Sequence, residues 1–424
     1  MVEVATVHLW NMKAGAVSWD DERNVASFQY YPEFIRHELD ISPIHMPVYG
    51  SENNIYEFPS LPMDTYYGLP GLLADSLPDK FGNTILNAWL AQQSRTPADM
   101  LPVERLCYLG NRGMGALEYT PAIYKKTKAE KIDIEEMTGV VADILAMRQA
   151  LNTNTGSKGV VQDIVSVGTS AGGARAKAVV AYNQQTGDLY SGQLKAPRGA
   201  EHWLLKFDGV NPEGDPEGFG RVEFAYYQMA IACGIEMTKC HLLEIGKHAH
   251  FMTKRFDRIG NEKLHLQSLC GIAHFDFNNS SAYAYEDAFQ IMRNLRLTYS
   301  DAEQLYRRMI FNVLTYNRDD HTKNISFLMD KKGKWSLSPA YDMTFSYRPD
   351  SPWVSRHQMS VNGKRERITT DDFLAVANGM NIKKPKEIIE QISGTVHQWK
   401  TYAKEAGVEP SICEQIEKLI NGDR

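Results

Sequence analysis

Asp319, Asp320, His321, Lys323 and Asn324 crowd one short run, 317–328, between a helical pattern and the apolar stretch Ile325-Ser326-Phe327-Leu328. Loops held by rigid elements are where catalytic groups tend to sit. The turn residues Asp330-Lys331-Lys332-Gly333-Lys334 follow, and Trp335-Ser336-Leu337-Ser338 returns as a second strand. With Lys332 and Gly333 as the turn centre, Asn324 faces Tyr341, and Asp342 comes next. Asp319, Asn324 and Asp342 then converge at the mouth of a hairpin. Two carboxylates and an amide oxygen suit a hard cation such as Mg²⁺, which commonly bridges phosphates. A loop aspartate acting as base beside such a site is the division of labour in phosphoryl transfer. Singly, each acid reads more plainly as a turn former. Asp320 reads as structural, His321 as a loop-holding hydrogen bonder, and Lys323 as a solvated or phosphate-facing charge.

Two further segments could serve the same chemistry. Between the β-branched runs at 165–167 and 178–180 lies a small-residue loop containing Ser170, Gly172, Gly173, Ala174, Arg175 and Lys177. Small residues let backbone N–H groups approach phosphate oxygens. No Gly-Lys-Ser/Thr follows, so the loop is not a Walker A motif. A strand–loop–strand setting is the kinase arrangement, although a plain β-turn looks similar. Next, His202-Trp203-Leu204-Leu205-Lys206-Phe207 is an apolar strand carrying one lysine. A cation there needs a partner or a cleft. The expected helix 221–233 follows, with Val222, Ala225, Tyr226, Met229, Ala230 and Cys233 on one stripe. Glu223, about 100° around from Val222, lies at the stripe's edge. It can meet Lys206 or sit exposed on the surface.

These pieces need elements to position them. Residues 1–60 alternate in short runs and read as small antiparallel β-structure. A helical pattern spans 70–93, the region 160–256 is β-rich, and from about 280 onward the pattern is mostly helical. Ser300 and Glu303 read as a capping box opening a helix. The charged stretch 125–131 and the polar stretch 152–159 read as connections. The chain has 424 residues, 43% hydrophobic and 23% charged, which is ordinary globular usage. A net charge of −6 argues against gripping nucleic acid as the primary role. Five scattered cysteines without a CxxC pair read as free thiols in a reducing cytoplasm. No apolar run reaches the ~18 residues of a membrane helix, and the N-terminus does not read as a signal peptide.

Together these segments resemble the HipA family, the serine/threonine kinase toxins of bacterial type II toxin–antitoxin systems. The resemblance rests on Ser170-x-x-Gly173-x-x-x-Lys177, His202-Trp203-Leu204-Leu205-Lys206-Phe207, Lys254-Arg255-Phe256-Asp257-Arg258, Asp319-x-His321-x-Lys323-Asn324 and Ser338-Pro339-Ala340-Tyr341-Asp342. It implies an α+β, two-lobed protein-kinase-like fold with a β-rich N-terminal subdomain (1–120), a nucleotide-binding lobe (121–256) and a mostly helical lobe (257–424). Under it Asp319 matches the catalytic base, Asn324 and Asp342 the Mg²⁺ ligands, and Lys206 the lysine on the ATP phosphates. Glu223, Lys254, Phe256, His321 and Lys323 join the loop residues around ATP. Lys254 stands where family members often carry a glutamate. Ser170 matches the serine whose autophosphorylation expels the loop and inactivates the kinase. The implied partners are a protein substrate, such as an aminoacyl-tRNA synthetase, and a HipB-type helix-turn-helix antitoxin through which DNA is reached indirectly. The readings set against it are a pseudokinase-like co-repressor that binds an antitoxin, and another nucleotide-dependent enzyme on the same scaffold.

Overall fold

The computed structural model describes residues 2–123, 131–149, 175–210 and 217–422. The loop residues Ser170, Gly172, Gly173 and Ala174 lie outside these, as do the polar stretch 152–159 and most of the charged stretch 125–131.

The N-terminal alternation forms strands only up to Tyr30, not to residue 60, in an antiparallel sheet of order β3-β2-β1-β4, with β1 Val4–Leu9, β2 Met12–Asp20, β3 Val25–Tyr30 and, from further along, β4 Leu117–Thr120. Trp10 and Asn11, both at positive φ, turn β1 into β2. A helix, Lys80–Gln92, follows, its N-terminus capped by Asp79, which accepts from the N–H groups of Phe81 and Gly82.

The second sheet is antiparallel in the order β6-β5-β7-β9-β8, built from β5 Lys177–Tyr182, β6 Leu189–Ser191, β7 Glu201–Lys206, β8 Cys240–Ile245 and β9 His248–Lys254. Its two faces are covered by different parts of the chain. Trp203, Leu205, Val180 and Met252 point to one face and share a core with Phe81, Ile85, Leu86 and Leu90 of the helix Lys80–Gln92. The opposite face carries Lys177, Lys206 and Phe251, aligned across β5, β7 and β9. The helix Phe219–Ala232 packs on that side, starting two residues earlier than the sequence pattern predicts. Gly220 permits the contact, since a Cβ there would lie 2.0 Å from the Ala249 carbonyl oxygen.

The ribbon of β10 Arg258–Ile259 and β11 Glu262–Lys263 leads to a third sheet, β12-β13-β14, formed by His265–Ser268, Ser326–Met329 and Trp335–Leu337. Helices dominate thereafter. The long one runs Tyr299–Leu314, and its capping box is Thr298 with Asp301 rather than Ser300 with Glu303. Thr298 has the extended backbone that a cap requires, so the true box lies two residues upstream. The hairpin register also differs from expectation. Phe327 opposes Leu337, whereas a two-residue turn would set it against Ser338. Asp330 and Gly333 close the turn with a 3.0 Å backbone bond, and Gly333 at φ +78° inserts an extra residue.

Candidate functional site

Lys206 closes β7 and points its ammonium into the space between the second sheet and the hairpin. Its Nζ lies 2.5 Å from Glu223 Oε1 and also donates to Asp342 Oδ1. Glu223 reaches it because the helix Phe219–Ala232 is drawn against β9 at Gly220, one turn earlier. Asp208, just past β7, fixes the start of that helix by accepting from the Gly218 N–H at 2.9 Å. Arg175 supplies a second cation to Glu223, Nη1 to Oε2 at 3.1 Å. Burial would lower the Lys206 pKa, but Asp342 and Glu223 hold it above the ordinary lysine value. Burial would raise that of Asp342, but Lys206 and Lys177 hold the carboxyl well below the usual range. Ion pairing therefore outweighs desolvation at both groups, and both stay charged.

Asp342 sits at φ +52°, a left-handed conformation that aspartate tolerates better than bulky residues. Tyr341 anchors the kink by donating to the Lys323 carbonyl at 2.6 Å, and Asn317 Nδ2 donates to the Asp342 carbonyl at 3.3 Å. The strand has left its ladder by this point. Despite the one-residue register change, the Asp342 backbone reaches Asn317, and Tyr341 reaches Lys323.

Within that run Asp319 and Asp320 face different surroundings. Asp320 is buried and accepts from the Tyr285 hydroxyl, His357 Nδ1 and the Gln358 N–H at 2.9, 2.9 and 2.8 Å, a structural role as expected. The Asp319 side chain is 38% exposed. Its Oδ1 accepts from the Trp353 indole N–H at 2.6 Å, while His321 Nε2 stands 3.7 Å away. His321 caps the turn Thr322–Asn324 through Nδ1, which accepts from the Lys323 N–H. Asn324 Nδ2 donates to the Asp319 carbonyl at 2.8 Å, and its Oδ1 has no hydrogen bond among the described residues. The ammonium of Lys323 lies 4.4 Å from the centre of the Phe277 ring.

The remaining sequence candidates divide. Lys177 is buried beside Lys206 in register, 3.9 Å from Asp79 of the N-terminal part. Burial lowers the Lys177 pKa, and burial pushes the Asp79 carboxyl up to about 6 against the pull of Lys177. Phe256 packs on Tyr341 with ring centres 5.4 Å apart. Lys254 is not brought to the cluster. Pleat alternation puts it on the other face of β9 from Phe251, where it pairs with Glu201 at 2.5 Å. Trp353 and Asp79 escaped sequence reasoning. Pro78-Asp79 before an apolar run signals a helix cap, but nothing in its spacing points to the lysines of a distant sheet. Trp353 lies far along the chain in an irregular loop with no periodicity to read.

The donor set fits Mg²⁺. One carboxylate (Asp342) and one amide oxygen (Asn324), both hard oxygen ligands, are what Mg²⁺ takes when phosphates and water complete its shell. Among the described residues no three His, Cys, Asp or Glu side chains form a fuller metal cluster. Nor does any helix among them have the length and apolarity to cross a membrane.

Comparison with known proteins places the chain by family and fold. The family model of the HipA N-terminal domain matches residues 5–120, and that of the HipA-like C-terminal domain matches 169–400. Two relatives from Sinorhizobium fredii (strain NBRC 101917 / NGR234), Y4mE and Y4dM, are named only as candidate kinases. They are 25% identical over 46% of this chain and 26% identical over 33% of it. The matched regions cover 43% and 36% of those relatives' own lengths. Among solved structures, HipA of Shewanella oneidensis MR-1, in a complex with HipB and operator DNA, superposes with a TM-score of 0.66 at 16% identity. That superposition covers 98% of this chain and 95% of the other, so the likeness is one of fold. With more than half its length matched by the C-terminal domain model, and the N-terminal domain model matched ahead of it, this chain belongs to the HipA family and has its kinase-like α+β fold.

Proposed function

We propose that the protein is a Mg²⁺- and ATP-dependent serine/threonine protein kinase of the HipA toxin type. The observation that carries this reading is the meeting of Lys206 with Glu223, 17 positions on, and with Asp342, 136 positions on, beside the loop that presents Asp319 and Asn324. A lysine paired with a helix glutamate and faced by an aspartate after a strand is the arrangement kinases use to hold nucleotide phosphates.

In this reading Lys206 binds the ATP phosphates, held in place by Glu223, with Arg175 and Lys177 adding positive charge. Asn324 and Asp342 hold Mg²⁺, which when bound offsets phosphate charge. Asp319 accepts the proton of the acceptor hydroxyl as its oxygen bonds the γ-phosphorus and ADP leaves. The division 1–120, 121–256 and 257–424 then separates an N-terminal subdomain from two kinase lobes. Ser170 is the self-limiting acceptor, since a phosphate there adds roughly −1.5 to −2 charges where ATP should lie. By analogy with the complex of the Shewanella relative, a HipB-type antitoxin is the proposed partner, with DNA reached through it. A translation component such as an aminoacyl-tRNA synthetase is the proposed target.

The test is transfer from γ-labelled ATP to the chain itself and to added protein, with mass spectrometry at Ser170. Asp319→Asn should abolish transfer, a loss of several kcal/mol in barrier, with the fold and ATP binding retained. An Asp319→Asn protein that labels like wild type would refute the assignment. A wild-type protein that binds an antitoxin but neither binds ATP nor transfers phosphate would favour the co-repressor reading.

A further inference from the structure

The loop 351–358 is strapped onto the two acids of the 317–324 run. Buried Asp320 holds its far end, accepting from the Gln358 N–H and from His357. The Arg318 guanidinium donates to the Ser355 carbonyl, and the Gln358 side-chain amide donates to the Trp353 carbonyl. At the near end, Ser351 Oγ accepts from the N–H groups of Trp353 and Val354, both at 3.2 Å. Trp353 is thus fixed on both sides, and its indole N–H reaches Asp319 Oδ1 at 2.6 Å. Its ring stands 6.1 Å from that of His321 and 6.4 Å from that of Phe277, which limits its tilt.

Asp319 needs such a support. With 38% of its side chain exposed, the carboxylate would otherwise rotate in water. His321 at 3.7 Å is too far for a hydrogen bond, so the indole is the one side-chain donor on this carboxylate among the described residues. An indole donates and cannot accept, so it orients the carboxylate without competing for the proton to be abstracted. A bond to an ionised acceptor is also stronger than a neutral one. Oδ1 is occupied, and Oδ2 carries no hydrogen bond among the described residues.

We infer that Trp353 is a positioning residue for phosphoryl transfer, holding Asp319 by Oδ1 so that Oδ2 is left to take the acceptor's proton. This rests on the kinase reading above. Asp320, next in sequence, serves the same end indirectly by anchoring the strap that carries the indole.

The experiment uses the full-length chain and Trp353→Phe, which keeps an aromatic ring at the position and removes the N–H together with the second ring. With labelled ATP, kcat should fall about ten- to a hundredfold, the scale of a misaligned catalytic group. KM for ATP and the melting temperature should stay near wild type. A merely structural tryptophan would instead shift stability or both kinetic constants. In a ¹⁵N-labelled sample, the Trp353 indole resonance, assigned in the wild-type protein, should move upfield in Asp319→Ala, a readout that needs no activity and no folded Trp353 variant. The inference is overturned by a Trp353→Phe enzyme as fast as or faster than wild type, or by an indole resonance that ignores Asp319→Ala. A wild-type protein that transfers no phosphate while the indole resonance still responds would instead sink the kinase reading itself.

Discussion

Two adjacent aspartates show how surroundings divide roles between identical side chains. Asp320 is wrapped by three donors and holds backbone; Asp319 keeps an oxygen open to an incoming group. A parallel contrast governs the lysines. Lys206 is held charged by two carboxylates, whereas burial depresses the pKa of Lys177 beside it. Lys206→Met should therefore remove the cation that neutralises Asp342 and Glu223 and that we propose binds phosphate. We expect kcat to fall about 10²–10³-fold, the scale for losing one electrostatic stabiliser. Stability should drop by about 3 kcal/mol, the low end for breaking a buried ion pair, because Arg175 stays on Glu223. Steady-state kinetics and urea unfolding read the two effects, and a variant with unchanged kcat would remove Lys206 from the site. Lys206, Glu223, Asp319 and Asn324 could be picked out by type and spacing, because a charge in an apolar strand or a crowded loop is chemically conspicuous. Trp353 could not, because an aromatic residue in a loop looks like packing.

At the scale of elements, the site depends on how closely the helix Phe219–Ala232 approaches β9. Gly220 sets that distance, since any Cβ meets the Ala249 carbonyl. Gly220→Ala should push the helix outward and pull Glu223 away from Lys206. The expected cost is about 1–3 kcal/mol, as for other overpacked contacts, together with a raised KM for ATP. Calorimetry and ATP titration check both, and a variant with wild-type affinity would show that Glu223 does not set the position of Lys206. The hairpin carries a related lesson. Its turn length is invisible until Gly333 is seen at positive φ, so the register came out one residue away from expectation. The kink at Asp342 absorbs that difference, because the aspartate leaves the ladder before reaching the site.

Over the whole molecule, the N-terminal part does not stand apart from the kinase-like lobes. Its helix Lys80–Gln92 covers one face of the second sheet, and its sheet shares a continuous core with the C-terminal helices. Buried or half-buried histidines lie at two of these seams and inside the second sheet. His274 accepts from the Gly71 N–H, His265 bonds the Ile41 carbonyl, and His250 accepts from the Asp208 N–H. Burial pushes them down to about 3, 4 and 4. An unfolded histidine takes its proton near pH 6.5, while these stay neutral in the folded chain until much lower pH. The unfolded state therefore binds more protons as pH falls from about 6.5 to 4, and stability must fall with it. Each histidine contributes on the order of 1–3 kcal/mol by pH 4. Urea midpoints at pH 7, 6 and 5 should decline steadily, before ordinary carboxylates begin to titrate; a flat profile would show that these histidines are open to solvent.

By itself the sequence determined which residues stand as candidates for the chemistry. The loop 317–324, the lone strand lysine and the aspartate after the hairpin are local patterns, and residue type with near-neighbour spacing is enough to name them. It also determined the element types wherever periodicity was strong, as in the N-terminal sheet and the long helices. Tertiary structure alone decided which groups meet. The pairing of Lys206 with both Glu223 and Asp342, the exclusion of Lys254 to the far face of β9, the approach of Asp79 to Lys177 and the grip of Trp353 on Asp319 all join residues distant along the chain. Such contacts follow from strand register, helix approach and loop closure, and these are set by packing over the whole fold rather than by any short stretch of residues.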